Sequence, residues 1–199
     1  MSLTLRFAAA ADSAGVAAIY APIVRDSAIS FEVEPPSAAA MQRRIEATME
    51  LFPWLVCADG DEVAGYAYAS RHQERAAYQW SANVSVYIHA EHRGRGLGRA
   101  LYTALFDILR LQRLHNLYAG ITLPNGASVG LHQALGFKPV GVYRSVGFKL
   151  GRWHDVGWWE TALLPTASDP GRPPDALPGL VEDPRVAAAL SRGVALLQG

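Results

Sequence analysis

Alternating polar and apolar residues predict several strands along the chain. Leu3–Phe7 alternates in this way, and Trp54–Ala58 is joined to Glu62–Ser70 by the turn Asp59-Gly60-Asp61, which predicts a hairpin. Further strands are predicted at Ala76–Ile88, Leu117–Thr122, Val140–Lys149 and Trp153–Leu163.

Apolar residues spaced three and four apart predict helices between these strands. The clearest helical set is Leu97, Ala100, Leu101, Ala104, Leu105, Ile108 and Leu109. Ser37 and Asn125 are residue types that cap helix N-termini, and each precedes a further predicted helix. Strands interspersed with helices predict an α/β fold, in the sense of a layered α+β domain.

The chain changes character near Pro165. We assign residues 1–164 to one domain, 165–180 to a proline-rich linker and 181–199 to a short C-terminal helix and tail. Five prolines fall within residues 165–178, which is typical of an extended segment. The last segment has helical apolar spacing but is too short to fold alone. It docks on its own domain, docks on a second subunit or stays mobile.

Composition narrows the class of protein. Of 199 residues, 50% are hydrophobic and 18% charged, and the formal net charge is zero. These values favour a globular protein, and they do not favour nucleic acid or a membrane as the partner. The single cysteine, Cys57, excludes an internal disulfide framework, and we expect a cytoplasmic protein. The first residues lack a signal-peptide pattern, and no apolar run has membrane-spanning length.

A glycine-rich segment carries the strongest chemical information. Residues 92–101 are His-Arg-Gly-Arg-Gly-Leu-Gly-Arg-Ala-Leu, between the predicted strand segment Val84–Ile88 and the predicted helix from Leu97. A strand, a glycine turn and a helix start together form an anion cradle of backbone N–H groups. The segment lacks the Lys-Ser/Thr of a Walker loop and the glycine spacing of a dinucleotide fingerprint.

Arg93-x-x-Gly96-x-Gly98 resembles the pyrophosphate loop of the GNAT family of acetyl-CoA-dependent N-acetyltransferases. Other segments resemble its phosphinothricin and methionine sulfoximine acetyltransferase branch, and the similarity covers about residues 3–164. These segments are Ser30-Phe31-Glu32-x-Glu34-Pro35, Ser85-Val86-Tyr87-Ile88, Leu123-Pro124-Asn125, His132-x-x-Leu135-Gly136-Phe137 and Val146-Gly147-Phe148-Lys149-x-Gly151-x-Trp153-His154-Asp155-Val156.

The resemblance implies a mixed, mostly antiparallel sheet flanked by helices, with acetyl-CoA lying between two splayed strands, Val84–Ile88 and Leu117–Thr122. It implies that backbone groups of Val86, Tyr87 and Ile88 bind the pantetheine arm, and that Asn125 binds the CoA arm. The implied pyrophosphate loop consists of Arg93, Gly94, Arg95, Gly96, Leu97, Gly98 and Arg99. No metal is implied.

The implied reaction is direct attack of an amine on the thioester. The resemblance makes the N–H of Val86 the donor to the oxyanion. It places His132 where many members have a tyrosine that serves the departing thiolate, and the alternative for His132 is a structural hydrogen bond. Asn83 stands where close relatives have a glutamate, and it can orient the amine or a water but cannot accept its proton. Candidate stand-ins for the base are Glu32, Glu74, His72 and His89.

The resemblance also implies a small amino-acid-like amine as acceptor, as in antibiotic or herbicide detoxification, and a homodimer. Other acceptors remain open, namely a polyamine, an aminoglycoside or a protein N-terminus, and so does a non-catalytic acyl-CoA-binding module. The candidate acceptor-side residues are Phe31, Glu32, Arg75, Tyr78, Asn83, Val84 and Ser85.

Overall fold

A seven-stranded sheet with helices on both faces makes up the protein in the computed structural model, which describes residues 3–165 and 170–198. The strands are β1 (Leu3–Phe7), β2 (Trp54–Asp59), β3 (Glu62–Arg71), β4 (Ser81–Ile88), β5 (Asn116–Leu123), β6 (Lys138–Lys149) and β7 (Arg152–Ala162). The helices are α1 (Ser13–Asp26), α2 (Ala38–Met49), α3 (Leu97–Leu111), α4 (Gly126–Ala134) and α5 (Pro184–Ala195).

The strand order is β1-β2-β3-β4-β5-β7-β6. In the described part of the chain, β4 and β5 pair in parallel and the other neighbouring strands pair antiparallel. The predicted mixed, mostly antiparallel sheet is therefore confirmed.

The parallel pair opens into a V. β4 and β5 pair only at Ser81–Asn116, Ala82–Leu117 and Asn83–Tyr118. Each strand then stays paired with its other neighbour, β4 with β3 and β5 with β7, while the two inner edges separate. Backbone groups along those edges are thus available to a ligand, because a sheet partner no longer occupies them.

The two faces of the sheet carry separate cores. α1 and α2 cover one face, where Val16 and Ile45 pack with Trp54, Val56 and Tyr66. α3 and α5 cover the other face, and all seven residues of the helical set predicted from Leu97 onward are buried. Residues 54–58 of β2 are buried throughout because helices cover both sides of this strand.

The predicted strand Ala76–Ile88 is too long. Residues Ala76–Tyr78 form a 3₁₀ turn, in which the Tyr78 N–H donates to the Arg75 carbonyl at 3.0 Å. β4 begins only at Ser81, where partners in β3 and β5 become available. Tertiary pairing, rather than local composition, therefore sets the start of this strand.

The C-terminal helix docks on its own domain. Val186 and Ala189 of α5 are buried in the core that contains α3. Part of the predicted linker is also bound, since the Gln112 side chain donates to the carbonyls of Leu51 and Asp175 at 2.7 and 2.8 Å. Residues 166–169 of that linker lie outside the described residues, and the division at residue 164 stays a prediction.

We expect Gly193→Ala in α5 to lower the free energy of unfolding by about 1–3 kcal/mol, the usual cost of overpacking. A Cβ there would lie 2.8 Å from the Ala100 carbonyl oxygen of α3 and 2.7 Å from a Leu5 methyl. The control is Gly130→Ala in α4, where a Cβ meets nothing within 4 Å. That helix-interior change should stabilise by about 0.5–1 kcal/mol. Urea titration measures both, and equal effects would contradict tight docking of α5.

Candidate active site

The V between β4 and β5 is a cleft in the structure. Residues of both strands line it together with side chains from α3, α4 and the loop before α2. The lining residues are Ile29, Val84, Ser85, Val86, Tyr87, Tyr102, Ala119, Gly120, Ile121, Thr122, Asn125, Ser128 and His132. The cleft therefore exposes the inner edges of both splayed strands.

A groove continues from this cleft to the glycine loop. The two share Ile29, Val86, Tyr87, Asn125 and Ser128, so they form one continuous channel. Ten of the eleven residues predicted to bind the co-substrate line the groove, namely Val86, Tyr87, Ile88, Arg93, Gly94, Gly96, Leu97, Gly98, Arg99 and Asn125. The eleventh, Arg95, does not line it, and its guanidinium lies 2.8 Å from His92 Nδ1.

The backbone of the glycine loop is open to an anion. Gly94 and Gly96 have φ of 74° and 80°, a left-handed conformation that favours glycine. A Cβ at Gly94 would meet nothing within 4 Å, so the backbone there faces free space. Gly96 is also the N-cap of α3, and the first residues of this helix, with their free N–H groups and positive dipole end, line the groove. These features fit a pyrophosphate.

Asn125 lies where the cleft meets the groove. Its Oδ1 accepts a hydrogen bond from the Ser128 N–H at 3.1 Å, which confirms it as the N-cap of α4. Its amide nitrogen can therefore donate toward a ligand. Tyr87 contributes its backbone to the cleft rather than its side chain. Its ring packs edge-on against the ring of Tyr20, with the ring centroids 5.2 Å apart.

His132 is 3% exposed and bonded at both ring nitrogens. Nδ1 lies 2.8 Å from the carbonyl of Ser128, and Nε2 lies 3.2 Å from the Tyr102 hydroxyl. A carbonyl can only accept, so Nδ1 carries a proton. Burial lowers the pKa of His132, and the neutral ring at neutral pH accepts from Tyr102 at Nε2.

The acceptor-side candidates do not all meet in one place. Val84 and Ser85 line the cleft. Phe31 is 40% exposed and its ring lies against Gly147 of β6, where a Cβ would clash with the ring. This contact joins the loop before α2 to the β6–β7 hairpin.

Glu32 is committed to an ion pair. Arg44 of α2 donates to both carboxylate oxygens at 2.7 and 2.9 Å, and the Tyr20 hydroxyl donates at 3.0 Å. The hydrogen bonds from Arg44 lower the pKa of Glu32. A carboxylate with these partners is a weak proton acceptor, so the geometry assigns Glu32 to holding the loop.

Lys149 anchors the same loop from the other side. Its Nζ is buried and donates to the carbonyls of Val24 and Ser30 at 2.6 and 2.7 Å. Burial lowers the pKa of this ammonium group. The segment that ends in Phe31 is thus fixed beside the cleft by hydrogen bonds to β6.

Asn83 lies at the closed end of the V, beside His72. Its Oδ1 is 2.9 Å from His72 Nδ1, and its Nδ2 donates to the Arg71 carbonyl at 3.1 Å. Tyr78 is 44% exposed, with its ring 6.0 Å from that of His72. Arg75 is exposed at the start of the 3₁₀ turn.

Sequence reasoning missed three residues that the structure brings to this region, namely Tyr102, Arg44 and Tyr118. Each is remote in sequence from the partner that gives it a role, and no local pattern marks it. Among the described residues, no group of three or more His, Cys, Asp or Glu side chains could hold a metal ion. The helices of this part of the chain are also too short or too polar to cross a membrane.

The sheet opens between two parallel strands, and a glycine loop and a helix N-terminus lie at the mouth of the opening, which defines a protein that binds an elongated ligand with a phosphate group. The chain belongs to the GNAT acetyltransferases, because residues 5–158 match the acetyltransferase (GNAT) domain. It is an N-acetyltransferase with acetyl-CoA as its co-substrate.

Named relatives refine this assignment. The chain is 39% identical to the phosphinothricin N-acetyltransferase of Streptomyces viridochromogenes, over 85% of this chain and 93% of that protein. It is 37% identical to the L-methionine sulfoximine/L-methionine sulfone acetyltransferase of Pseudomonas paraeruginosa, over 85% of this chain and 100% of that protein.

A solved structure supports the same fold. The phosphinothricin acetyltransferase of Sinorhizobium meliloti, solved in complex with acetyl-CoA, superimposes with a TM-score of 0.78 at 35% identity. The match covers 81% of this chain and 89% of that protein. The predicted family and fold are confirmed.

Proposed function

We propose that this N-acetyltransferase acetylates the primary amine of a small amino-acid-like substrate of the phosphinothricin or methionine sulfoximine type, by direct attack. The observation that carries the proposal is the continuous channel from the glycine loop into the V, as far as Val84 and Ala119 beside its apex. The channel lets a thioester and an amine meet at the unpaired strand edges. The names of the relatives point to the class of acceptor.

Acetyl-CoA is proposed to lie along the groove. The loop from Arg93 to Arg99 would hold the pyrophosphate, Asn125 would bind the CoA arm, and the open edge of β4 at residues 86–88 would bind the pantetheine arm. The N–H of Val86 is proposed to stabilise the oxyanion, because a fixed backbone donor in a water-poor cleft favours developing negative charge.

The Tyr102–His132 pair is proposed to serve the leaving thiolate. The relay uses the minor form of His132 that has taken a proton from water at Nε2. This proton passes to the Tyr102 oxygen while the hydroxyl proton passes to sulfur, and the ring returns to the neutral form that predominates at neutral pH. The lowered pKa of His132 makes this imidazolium a readily donating acid. The 3.2 Å contact and the position of both residues on the cleft support the relay.

The proposed acceptor class is tested by measuring thiol release from acetyl-CoA with a panel of amines. Phosphinothricin, methionine sulfoximine and methionine sulfone represent the proposed class, and spermidine, kanamycin and a short peptide represent other classes. We expect the highest kcat/KM with the first group. A higher kcat/KM with any of the others would reassign the acceptor while leaving the acetyltransferase assignment intact.

A homodimer through the β6–β7 hairpin and a cytoplasmic location are also proposed. The hairpin exposes apolar side chains, with Phe148 60%, Leu150 59% and Trp153 62% exposed, which is typical of an interaction surface. The single cysteine, Cys57, is buried and free, which suits a reducing compartment.

We expect the double variant Phe148→Ser, Trp153→Ser to sediment as a monomer where the wild type sediments as a dimer, because an apolar interface loses its central area. The control is Val33→Ser, which removes an apolar side chain 76% exposed outside the hairpin. A monomeric wild type would refute the proposal.

A further inference from the structure

We propose that His72 accepts the proton of the attacking amine and that Asn83 is the residue that positions it. The inference rests on the proposed function, because it names the base for that reaction. Relatives have a glutamate at the position of Asn83, and asparagine cannot accept a proton, so another residue must serve as the base.

The hydrogen bonds of Asn83 determine which nitrogen of His72 is free. The amide nitrogen of Asn83 donates to the Arg71 carbonyl at 3.1 Å, so its Oδ1 must face the ring. Oδ1 can only accept, and it lies 2.9 Å from Nδ1 of His72. Nδ1 therefore carries the proton of the neutral ring, and the lone pair at Nε2 is left to act as a base.

Aromatic packing holds the imidazole in this orientation. The ring of Tyr118 stacks on it with centroids 4.2 Å apart and an angle of 22° between planes. The ring of Trp158 packs edge-on against the imidazole, with centroids 6.3 Å apart and an angle of 86° between the planes. The ring of Tyr78 also packs edge-on against it. A base that is fixed by packing loses little orientational freedom when the amine arrives.

The pair lies at the apex of the V. Asn83 and Tyr118 form the last paired position before β4 and β5 separate. Ser85 and Gly120 lie two residues further along these strands, on the same faces, and line the cleft. Two residues of a strand span about 7 Å, which is the distance from the apex to these two residues. The ring of Trp158 covers Gly120, where a Cβ would lie 3.3 Å from it. Trp158 is therefore a neighbour of both His72 and Gly120 of the cleft.

The charged and titratable groups that face His72 do not compete with it for the proton. The phenols of Tyr78 and Tyr118 are the titratable groups on its ring contacts. Burial, followed by the nearby Glu160 carboxylate, raises the pKa of Tyr118, so this phenol stays protonated. Asn83 is neutral at every pH. His72, with its Nδ1 on Asn83, is thus the candidate base at the apex.

The step balances as a proton transfer followed by acyl transfer. Nε2 of His72 takes one proton from the substrate ammonium, directly or through one water, which frees the nitrogen lone pair. The lone pair forms the C–N bond with the thioester carbonyl, the C–S bond breaks, and the departing thiolate takes the proton of the Tyr102 hydroxyl. The new amide nitrogen loses its second proton to water, and water resupplies one proton to the Tyr102–His132 pair. His72 then returns its proton to water.

The test compares His72→Phe with His115→Phe as the matched control. Phenylalanine keeps the stacking on Tyr118 but removes Nε2, whereas His115 is also half-buried and lies outside the cleft. With the best amine of the panel, we expect His72→Phe to lower kcat/KM about 10²-fold near neutral pH. The dissociation constant for acetyl-CoA and the thermal midpoint should stay close to wild type, and His115→Phe should be unchanged.

The pH profile separates a base from a structural residue. The wild-type kcat/KM should fall as the pH drops, because a base that already carries a proton cannot accept one from the ammonium. In His72→Phe the rate should instead follow deprotonation of the amine itself, so the loss should shrink at high pH. Added imidazole should restore part of the activity of His72→Ala, an effect that a packing role does not produce.

Asn83→Leu provides a second test that leaves His72 in place. Without Oδ1 the ring can rotate or change tautomer, so kcat should fall with little change in KM. Full activity and an unshifted acidic limb in both His72→Phe and Asn83→Leu would overturn the proposal. If amino-acid amines release no thiol while another amine does, the acceptor class fails instead, and the His72 variants are compared with that amine.

Discussion

His132→Ala is expected to lower turnover about 10²-fold while the affinity for acetyl-CoA stays within about twofold of wild type, as for loss of a general acid. The imidazole lies 3.2 Å from the Tyr102 hydroxyl on the wall of the cleft. Tyr102→Phe should cause a similar loss, since it breaks the same relay. The double variant should be no slower than the slower single variant, because the two residues act as a unit.

The control for His132 is Phe137→Leu. The ring of Phe137 packs edge-on against the imidazole at 5.0 Å, so this change loosens the same aromatic cluster but keeps the protonatable group. Its turnover should remain near wild type. Steady-state kinetics and calorimetry of acetyl-CoA binding provide the measurements. Normal turnover of a folded His132→Ala would leave the imidazole with a packing role only.

Gly96→Val is expected to weaken acetyl-CoA binding at least tenfold, or about 1.4 kcal/mol. Gly96 has φ of 80° at the N-cap of α3, and valine adopts that conformation only with strain. A Cβ there would lie 3.9 Å from the Leu196 carbonyl oxygen, so relief of the strain would move the loop backbone whose N–H groups are proposed to hold the phosphate. Calorimetry with the folded variant measures the effect.

Gly60→Val is the control that distinguishes the effect of backbone strain from a direct effect on acetyl-CoA binding. Gly60 has φ of 63° in the β2–β3 turn, and a Cβ there meets nothing within 4 Å. The substitution therefore imposes similar backbone strain far from the groove. It should destabilise the fold without changing the dissociation constant for acetyl-CoA. If Gly96→Val and Gly60→Val bound acetyl-CoA with equal affinity, the glycine loop would not be part of the binding site.

Much of the fold could be predicted because its determinants are local. Apolar spacing from Leu97 defines the buried face of α3, and Ser37 and Asn125 both cap the helices that they precede. The turn Asp59-Gly60-Asp61 connects β2 and β3 as predicted. The start of β4 could not be predicted, since it depends on partners in β3 and β5 rather than on its own residues.

The parts of the candidate site that depend on neighbouring residues could likewise be predicted, and those that depend on distant residues could not. The glycine loop is a run of neighbouring residues, so its position in the groove could be predicted, with Arg95 as the residue that does not line it. The ion pair between Glu32 and Arg44 could not be predicted, because the two residues are 12 positions apart in the sequence. The same holds for Asn83 and His72, which are 11 residues apart and meet through the β3–β4 pairing.

The sequence by itself determined the elements of this protein, its glycine loop and its resemblance to the GNAT acetyltransferases, since each depends on residues close in the chain. Only the tertiary structure decided that α5 docks on α3, that His132 is hydrogen-bonded to Tyr102, and that Asn83 is hydrogen-bonded to His72. The physical reason is that hydrogen bonds and packing act over a few ångströms in space. Which distant residues come that close is set by how the strands pair and where the sheet opens.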